Sequence, residues 1–243
     1  MPETHFDPRI ATRMEVLWPE VFEPSFVDAA VSLLADLAGS GPILELGIGT
    51  GRLALPLSER GLRVHGIELS VAMVEELGTK PGSSAIDVTV GDFATAHVGE
   101  TFTMAYLVRN TITNLTTEDE QVACFQNAAA HLEPGGCFVI ENYVPQLQRL
   151  APGETCYVFA RTATHLGVEE YDVRAQIAVS HHWWFIDDQL ETLSSPHRYV
   201  WPSELDLMAR LAGMTLRERW ADWTRGPFTG ESPSHVSVWE KLE

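Results

Sequence analysis

The chain has 243 residues, of which 45% are hydrophobic and 9% aromatic, and its formal net charge is −18. This length allows one large domain, or one domain with an insertion, and the composition excludes a disordered acidic tail. A surface this acidic repels phosphate backbones and anionic lipids. We therefore expect a small-molecule partner, and neither nucleic acid nor a membrane.

Three cysteines, Cys124, Cys137 and Cys156, lack the spacing of a zinc site or of a disulfide framework. They predict buried free thiols in a reducing compartment and no metal site. The N-terminus lacks the apolar region of a signal peptide, and no stretch reaches the roughly 18 uninterrupted apolar residues of a membrane span. We therefore expect a cytoplasmic protein.

The first 145 residues predict alternating helices and strands. Apolar spacing indicates a helix over 24–38, Ser70 is placed to cap a helix over 71–77, and Thr117 with Glu120 forms a capping-box pattern that opens a helix to residue 132. Residues 133–136 predict a turn. Further helical residues are expected at 53–60, and strands at 42–46, 63–68, 86–90, 102–108 and 137–140. This alternation predicts a parallel, doubly wound α/β sheet.

The pattern changes after Pro145. Strands are expected at 155–160, 173–186 and 190–200, with a turn at Asp187 and Asp188, followed by a helix to residue 211 and closing strands over 214–223 and 235–242. The sequence thus predicts a core over 1–145, a β-rich insertion over 146–200, and a closing helix and strands over 201–243.

The most informative stretch is ELGIGTGR, residues 45–52, at the junction of the first strand and its helix. Gly47, Gly49 and Gly51 allow a tight turn and a close approach of the backbone to a ligand, beside the free amides of a helix N-terminus. A dinucleotide fingerprint would require glycine at position 52, where Arg52 stands, so an NAD-dependent oxidoreductase is the weaker alternative. Glu68 ends the second strand and Asp92 and Phe93 follow the third, which places them where doubly wound sheets bind ligands.

These segments resemble the class I S-adenosylmethionine-dependent methyltransferases, in ELGIGTG at 45–51, GIELS at 66–70, GDF at 91–93 and LEPGGCFVI at 132–140. The resemblance implies a Rossmann-like sheet of seven mostly parallel strands with an antiparallel β insertion before the last helix. The insertion at 146–200 would form a roof over the substrate, and residues 107–115 would line the sulfonium. It implies S-adenosylmethionine as cofactor, with S-adenosylhomocysteine as product. The cofactor-binding residues it implies are Glu45, Gly47, Gly49, Gly51, Glu68, Asp92, Phe93 and Asn110.

Within this set the resemblance implies distinct roles. The glycines would hold the methionine portion and ribose, Glu68 the ribose hydroxyls, Asp92 with Phe93 the adenine, and Asn110 the methionyl amino or carboxylate group. Such enzymes often cover the cofactor with an N-terminal Tyr; here the comparable helix, 11–18, offers Met14 or Trp18.

The motifs of the nucleic-acid branches are missing. Residues 108–111 read VRNT instead of an Asn/Asp-Pro-Pro-aromatic motif, and no Cys follows a Pro. The resemblance therefore implies the small-molecule branch, with transfer of a methyl group to an oxygen or nitrogen, for example in natural-product biosynthesis. A non-catalytic scaffold that binds the cofactor is the alternative, and the acceptor and the oligomeric state, monomer or homo-oligomer, stay open.

A base near the transferred methyl group would help an acceptor to lose its proton. His181 and His182 are the candidates. On a strand they point to opposite faces, so only one of them can face a cavity.

Overall fold

The computed structural model describes residues 8–242. Its helices are α1 (Pro8–Ala11), α2 (Met14–Leu17), α3 (Pro24–Ala38), α4 (Ala54–Glu59), α5 (Val71–Gly78), α6 (Glu118–His131) and α7 (Pro202–Leu211). Its strands are β1 (Ile43–Leu46), β2 (Val64–Glu68), β3 (Asp87–Val90), β4 (Phe102–Leu107), β5 (Leu132–Tyr143), β6 (Cys156–Arg161), β7 (His165–Asp172), β8 (Ile177–Ile186), β9 (Gln189–Arg198), β10 (Met214–Trp220) and β11 (Ser234–Lys241). Short 3-10 helices lie at Pro19–Phe22, Ser83–Ala85, Thr111–Asn114 and Leu147–Arg149.

Two sheets organise the chain. The larger has seven strands in the order β10-β11-β5-β4-β1-β2-β3, in which β1 to β5 are parallel and β11 is antiparallel to both of its neighbours, β10 and β5. The smaller is antiparallel, in the order β6-β7-β8-β9. The predicted fold class is therefore confirmed. Strand order reverses between β1 and β4, and doubly wound sheets bind ligands beside the carboxyl ends of strands at such a reversal.

The core lies on both faces of the larger sheet. All four residues of β1 are buried, because helices cover the sheet on both sides. On one face α6 and α7 pack around Phe125, whose ring lies 5.1 Å from that of Phe138 and 5.4 Å from that of Trp239. On the other face α3 and α4 pack through Leu34 and Leu57. This packing fixes the ends of β1, β2 and β4, where the candidate site lies.

Two predicted helix starts are confirmed. The Ser70 hydroxyl accepts a hydrogen bond from the Met73 amide at 3.3 Å, at the start of α5. At the start of α6, the Thr117 hydroxyl accepts from the Glu120 amide, and the Glu120 carboxylate accepts from the Thr117 amide. Both caps satisfy first-turn amides that the helix itself leaves unpaired.

The predicted turn at 133–136 is wrong, because β5 already begins at Leu132. Leu132 pairs with Phe102 and Cys137 with Met104, so the residues between Leu132 and Cys137 bulge out of the ladder. A Cβ on Gly136 would lie 3.0 Å from the Thr103 carbonyl oxygen, which is why glycine is needed there. The sequence marked the irregularity correctly and its type incorrectly.

The antiparallel sheet has one strand more than predicted. The strand expected over 173–186 begins only at Ile177, and β7 precedes it. The Asp172 carboxylate accepts hydrogen bonds from the amides of Arg174 and Ala175, and Gln176 adopts a φ of 54°, so the chain turns there. The predicted turn at Asp187 and Asp188 is confirmed, with φ values of 50° and 59°.

The second sheet lies within the predicted insertion at 146–200, whose limits stay a prediction. At the N-terminus the helix expected over 11–18 is divided into α1 and α2, and α2 ends before Trp18, which precedes Pro19.

All three thiols are free, and Cys124 and Cys137 are buried. Cys156 is exposed, contrary to expectation, because it starts the edge strand β6. Between residues 8 and 242 no helix is both long and apolar enough to cross a membrane.

Candidate active site

The glycine loop joins β1 to α4. Gly47, Gly49 and Gly51 have φ values of 73°, 56° and 79°, a left-handed region that side chains with a Cβ rarely adopt. The Gly47 amide donates to the Ile67 carbonyl at 2.8 Å, which ties the loop to the end of β2. A Cβ on Gly49 would meet no atom within 4 Å, so this glycine borders open space.

Glu68 ends β2 beside this loop. Its carboxylate accepts hydrogen bonds from the Gly49 amide at 2.8 Å and the Ser70 amide at 2.9 Å. Burial raises the pKa of the Glu68 carboxyl, and the two amide bonds oppose that rise. A carboxylate has about four acceptor positions, so Glu68 keeps acceptor capacity toward a ligand.

A first cavity of about 900 Å³, part of it open to solvent, lies over the loop. Five predicted residues line it together, namely Glu45, Gly47, Gly49, Glu68 and Phe93. The sequence did not single out Phe22 or Met73, which also line it. These flanking side chains are ordinary core types, so no pattern marked them.

Three further predicted residues do not line this cavity. A Cβ on Gly51 would collide with the Leu77 side chain, so this glycine lets α5 approach the loop. The Asp92 carboxylate accepts from the Ala94 amide at 2.8 Å and shapes the turn after β3. Asn110 lies on the wall of a second cavity. Their roles toward a cofactor stay predictions.

The ionisable side chains of Glu45 and Arg52 also line the first cavity. The Tyr106 hydroxyl donates to the Glu45 carboxylate at 2.7 Å. Burial raises the pKa of Glu45 to about 8, against the lowering effect of that hydrogen bond and of Arg52. Arg52 donates to the Val21 carbonyl at 3.0 Å and lies 5.4 Å from the Phe26 ring, so it fastens the N-terminal segment to the loop.

The second cavity, of about 960 Å³ and also partly open to solvent, adjoins the first. Arg109, Thr111 and Asn114 line both. Its other walls include three aromatic residues and five polar residues. The aromatic residues are Trp18, Tyr143 and Phe159; the polar ones are Glu169, Ser180, His182, Ser195 and His197. The smaller sheet therefore covers this cavity.

Strained backbone marks the junction of the cavities. Arg109 and Asn110 are consecutive and both have a φ of 58°, which costs about 1–3 kcal/mol for each such residue. Hydrogen bonds hold them: Glu141 accepts from the Arg109 amide at 2.9 Å, and the Asn110 side-chain oxygen accepts from the Tyr143 amide at 2.7 Å. Sequence alone gave no signal of this strain.

The strained backbone directs the Arg109 guanidinium over the Trp18 ring, 4.9 Å from its centroid. Burial lowers the pKa of Arg109 to about 10, and the positive charge of Arg52 adds to the effect. Arg109 forms no ion pair with any residue from 8 to 242, and it remains charged at neutral pH.

His181 and His182 lie on opposite faces of β8. His182 lines the second cavity, is 8% exposed, and its Nδ1 lies 3.0 Å from Nε2 of His165. Burial lowers the pKa of His182 to about 4, with further lowering by His165, so its imidazole is neutral at pH 7. His181 faces the other way, where its Nδ1 lies 2.8 Å from the Ser194 hydroxyl.

The family described as "Methyltransferase domain" matches residues 43–136, which contain the glycine loop and the strand ends of the first cavity. Over its whole length the chain is 33% identical to the CcbJ methyltransferase from Streptomyces caelestis, with 100% of both chains covered and a TM-score of 0.85. The chain belongs to the class I S-adenosylmethionine-dependent methyltransferases. This predicted family is thereby confirmed, as is the cofactor.

Two other methyltransferases are similar. The cypemycin N-terminal methyltransferase of a Streptomyces species is 27% identical over 205 residues, 82% of each chain. The structure of CalS10 with bound S-adenosylmethionine, an amino pentose methyltransferase from Micromonospora echinaspora, is 20% identical, covers 91% of this chain and 92% of its own, and has a TM-score of 0.68. The CalS10 likeness shows the fold alone.

The first cavity fits the cofactor of this methyltransferase family. S-adenosylmethionine has an adenosine, whose ribose hydroxyls need acceptors, and a charged methionine portion. Glu68 supplies a carboxylate beside the loop, Phe93 an aromatic ring, and the open space at Gly49 permits close approach to backbone amides. The N-terminal segment contributes to both cavities of the methyltransferase, with Met14 on the first and Trp18 on the second.

Proposed function

We propose that this methyltransferase transfers the methyl group of S-adenosylmethionine to a nitrogen of a small amine that binds in the second cavity. The observation that carries the proposal is the shared wall of the cavities at Arg109, Thr111 and Asn114. Ligands bound in the two adjoining cavities would come into contact beside these three residues. Such alignment is the main contribution that a protein makes to an in-line displacement.

We assign cofactor contacts to the first cavity. Gly47 and Gly49 would approach the methionine portion and ribose, Glu68 would accept from the ribose hydroxyls, and Asp92 with Phe93 would hold the adenine. Asn110 stays our candidate for the methionyl group, although its side-chain oxygen already accepts from the Tyr143 amide. Bound there, the cofactor supplies an activated methyl group on its sulfonium.

Nitrogen is favoured over oxygen by the bases that the second cavity offers. A neutral amine attacks without losing a proton first, whereas a hydroxyl acceptor benefits from a base that removes its proton. His182, with a pKa of about 4, is too weak a base for an alcohol or a phenol. In the tautomer that donates Nδ1–H to His165, its Nε2 carries no hydrogen and can accept a hydrogen bond from an amine N–H.

Arg109 supports the same choice. A positive charge near an amine lowers the pKa of its ammonium form and so increases the neutral fraction. Only the neutral form has the lone pair needed for attack. The cationic junction thus favours a reactive amine, and the name of the cypemycin N-terminal methyltransferase agrees with transfer to nitrogen.

The net charge of −18 favours a neutral or cationic small molecule over nucleic acid.

The decisive experiment uses acceptors that carry an amine and a hydroxyl in one molecule, such as tyramine and 5-aminopentan-1-ol. Each is incubated with the protein and trideuteromethyl S-adenosylmethionine, and the labelled atom is located by fragmentation in mass spectrometry. We expect the label on nitrogen; label on oxygen would contradict the proposal. Binding of S-adenosylhomocysteine without any product would favour the scaffold.

A further inference from the structure

The inner face of the smaller sheet carries a row of polar side chains across three strands. Glu169 of β7 pairs with Ser180 of β8, and Ser180 pairs with Ser195 of β9. All three line the second cavity. Neighbouring strands lie about 4.8 Å apart, so the three side chains form a continuous polar strip.

Glu169 is a half-buried carboxylate without a cation. Its carboxylate accepts from the Ser180 hydroxyl at 2.9 Å, and no Lys, Arg or His of residues 8–242 lies within ion-pair distance. Burial raises the pKa of its carboxyl, against the hydrogen bond from Ser180. A charge left uncompensated in a partly dry site is costly, so a cation would be bound favourably there.

Ser195 provides a second, independent sign of a ligand. It is 8% exposed, it lines the cavity, and its hydroxyl forms no hydrogen bond to any described residue. The Tyr143 hydroxyl, which lies on the same cavity, is buried without a hydrogen-bond partner among the described residues, and buried polar groups are normally paired. Glu169, Ser180 and Ser195 together present three acceptor oxygens, which matches the three N–H donors of one ammonium group.

The strip also lies at a defined distance from His182, the proposed acceptor of the amine N–H. His182 follows Ser180 by two residues on the same face of β8, which separates them by about 7 Å along the strand. Resting on the proposed transfer to nitrogen, we propose that Glu169, Ser180 and Ser195 form a subsite for a second, positively charged group of the acceptor, while the methylated nitrogen lies near His182, about 7 Å further along β8. The acceptor is then a diamine or another amine with a distal basic group.

Four amines with the same five-carbon chain and different groups at the other end test the subsite: pentylamine, 5-aminopentan-1-ol, pentane-1,5-diamine and 5-aminopentanoate. Their affinity for the protein with bound S-adenosylhomocysteine is measured by calorimetry, so the result does not depend on turnover. We expect the diamine to bind about ten-fold or more tighter than pentylamine, since a charge-assisted hydrogen bond is worth at least that. The aminopentanoate is expected to bind weakest.

Glu169→Gln should remove the preference for the diamine while the affinity for S-adenosylhomocysteine is kept. Glu170→Gln is the matched control, because Glu170 is the exposed neighbour on the other face of β7 and faces His181. It should keep the full preference. Equal affinity for all probes, absence of diamine binding, or a preference that survives in Glu169→Gln would overturn the subsite.

The same probes separate this inference from the proposed function. Methylation of pentylamine nitrogen without any diamine preference would uphold the transfer to nitrogen and reject the subsite. A diamine preference that depends on Glu169, without methylation of any nitrogen, would uphold the subsite and reject the function.

Discussion

The two cavities are built from different materials. The first lies over a glycine loop with left-handed backbone and over strand ends of the parallel sheet. The second is formed by side chains of the antiparallel sheet, the N-terminal segment and the strained turn at Arg109. A backbone site requires glycines and strand ends in a fixed order, whereas a side-chain site can be rebuilt by substitution. The sequence around the first cavity is thus the more constrained of the two, and the sequence around the second cavity can vary more.

Each cavity also holds a buried ionisable group, and burial shifts the pKa values of the two groups in opposite directions. Burial raises the pKa of Glu45 in the first cavity to about 8 and lowers the pKa of His182 in the second to about 4. Both shifts favour the uncharged form. The charges that remain, such as Arg109 at the shared wall, then dominate the local field.

The largest effect is expected from Gly49→Val. A side chain at this left-handed position would enter the first cavity, and we expect the affinity for S-adenosylhomocysteine to fall about 100-fold or more, by loss of contacts and steric overlap. Calorimetry measures the affinity and thermal unfolding the stability.

Gly61→Val is the matched control for backbone strain. Gly61 also has a positive φ, of 87°, with no atom within 4 Å of an added Cβ, and it lies outside both cavities. It should lose stability and keep its affinity. Unchanged affinity in Gly49→Val would remove the loop from the cofactor site.

Glu68→Ala should weaken cofactor binding by about 1–3 kcal/mol, the range for lost hydrogen bonds to a charged group. Part of this loss comes from the Gly49 amide, which loses its partner in the variant. Glu75→Ala, at an exposed carboxylate of α5, should bind as the wild type does. Two variants with equal affinities would mean that Glu68 serves the loop alone.

In the second cavity, His182→Gln should lower kcat about five-fold, since one orienting hydrogen bond is worth about 1 kcal/mol. Its affinity for S-adenosylhomocysteine should not change. His181→Gln is the adjacent control on the outer face and should act like the wild type. An equal loss of kcat in His181→Gln and His182→Gln would mean that the effect does not come from the second cavity.

The larger sheet could be predicted from the sequence because each of its signals is local. Apolar runs, glycine stops and the caps at Ser70 and Thr117 lie within a few residues of the elements that they define. Strand β7 was missed because its inner face alternates glycine, Glu169 and Tyr171, a pattern without an apolar run. The bulge before Cys137 depends on pairing with β4, which no local signal reveals.

The same distinction holds for the site. The glycine loop and Glu68 could be found because their chemistry follows from position on the sheet. Strand periodicity separated His181 from His182 but could not tell which one faces inward, since that depends on where the sheet packs. Arg109 and Glu169 line one cavity only because of the register of β7 to β9 and a left-handed turn, so the sequence could predict an insertion over the substrate but not the side chains that line the second cavity.

The smallest expected effect is a difference between the two cavities in how their ionisable groups change the free energy of unfolding with pH. Glu45 has a higher pKa folded than its ordinary 4.5, so its contribution to stability is full below about pH 4.5 and is lost as the pH rises through about 8. His182 has a lower pKa folded than its ordinary 6.5, so its contribution is full above about pH 6.5 and is lost as the pH falls through about 4. The two groups thus give the stability curve slopes of opposite sign.

Glu45→Gln mimics the protonated carboxyl and still accepts from Tyr106. Its free energy of unfolding relative to the wild type should therefore rise by at least about 1 kcal/mol between pH 5 and pH 9, because one pKa unit is worth about that much. His182→Gln should instead gain relative to the wild type as the pH falls from 7 to 4. Urea unfolding of the three proteins across this range gives both differences. Parallel curves for Glu45→Gln and the wild type would mean that the first cavity keeps Glu45 hydrated, and the contrast between the cavities would then rest on His182 alone.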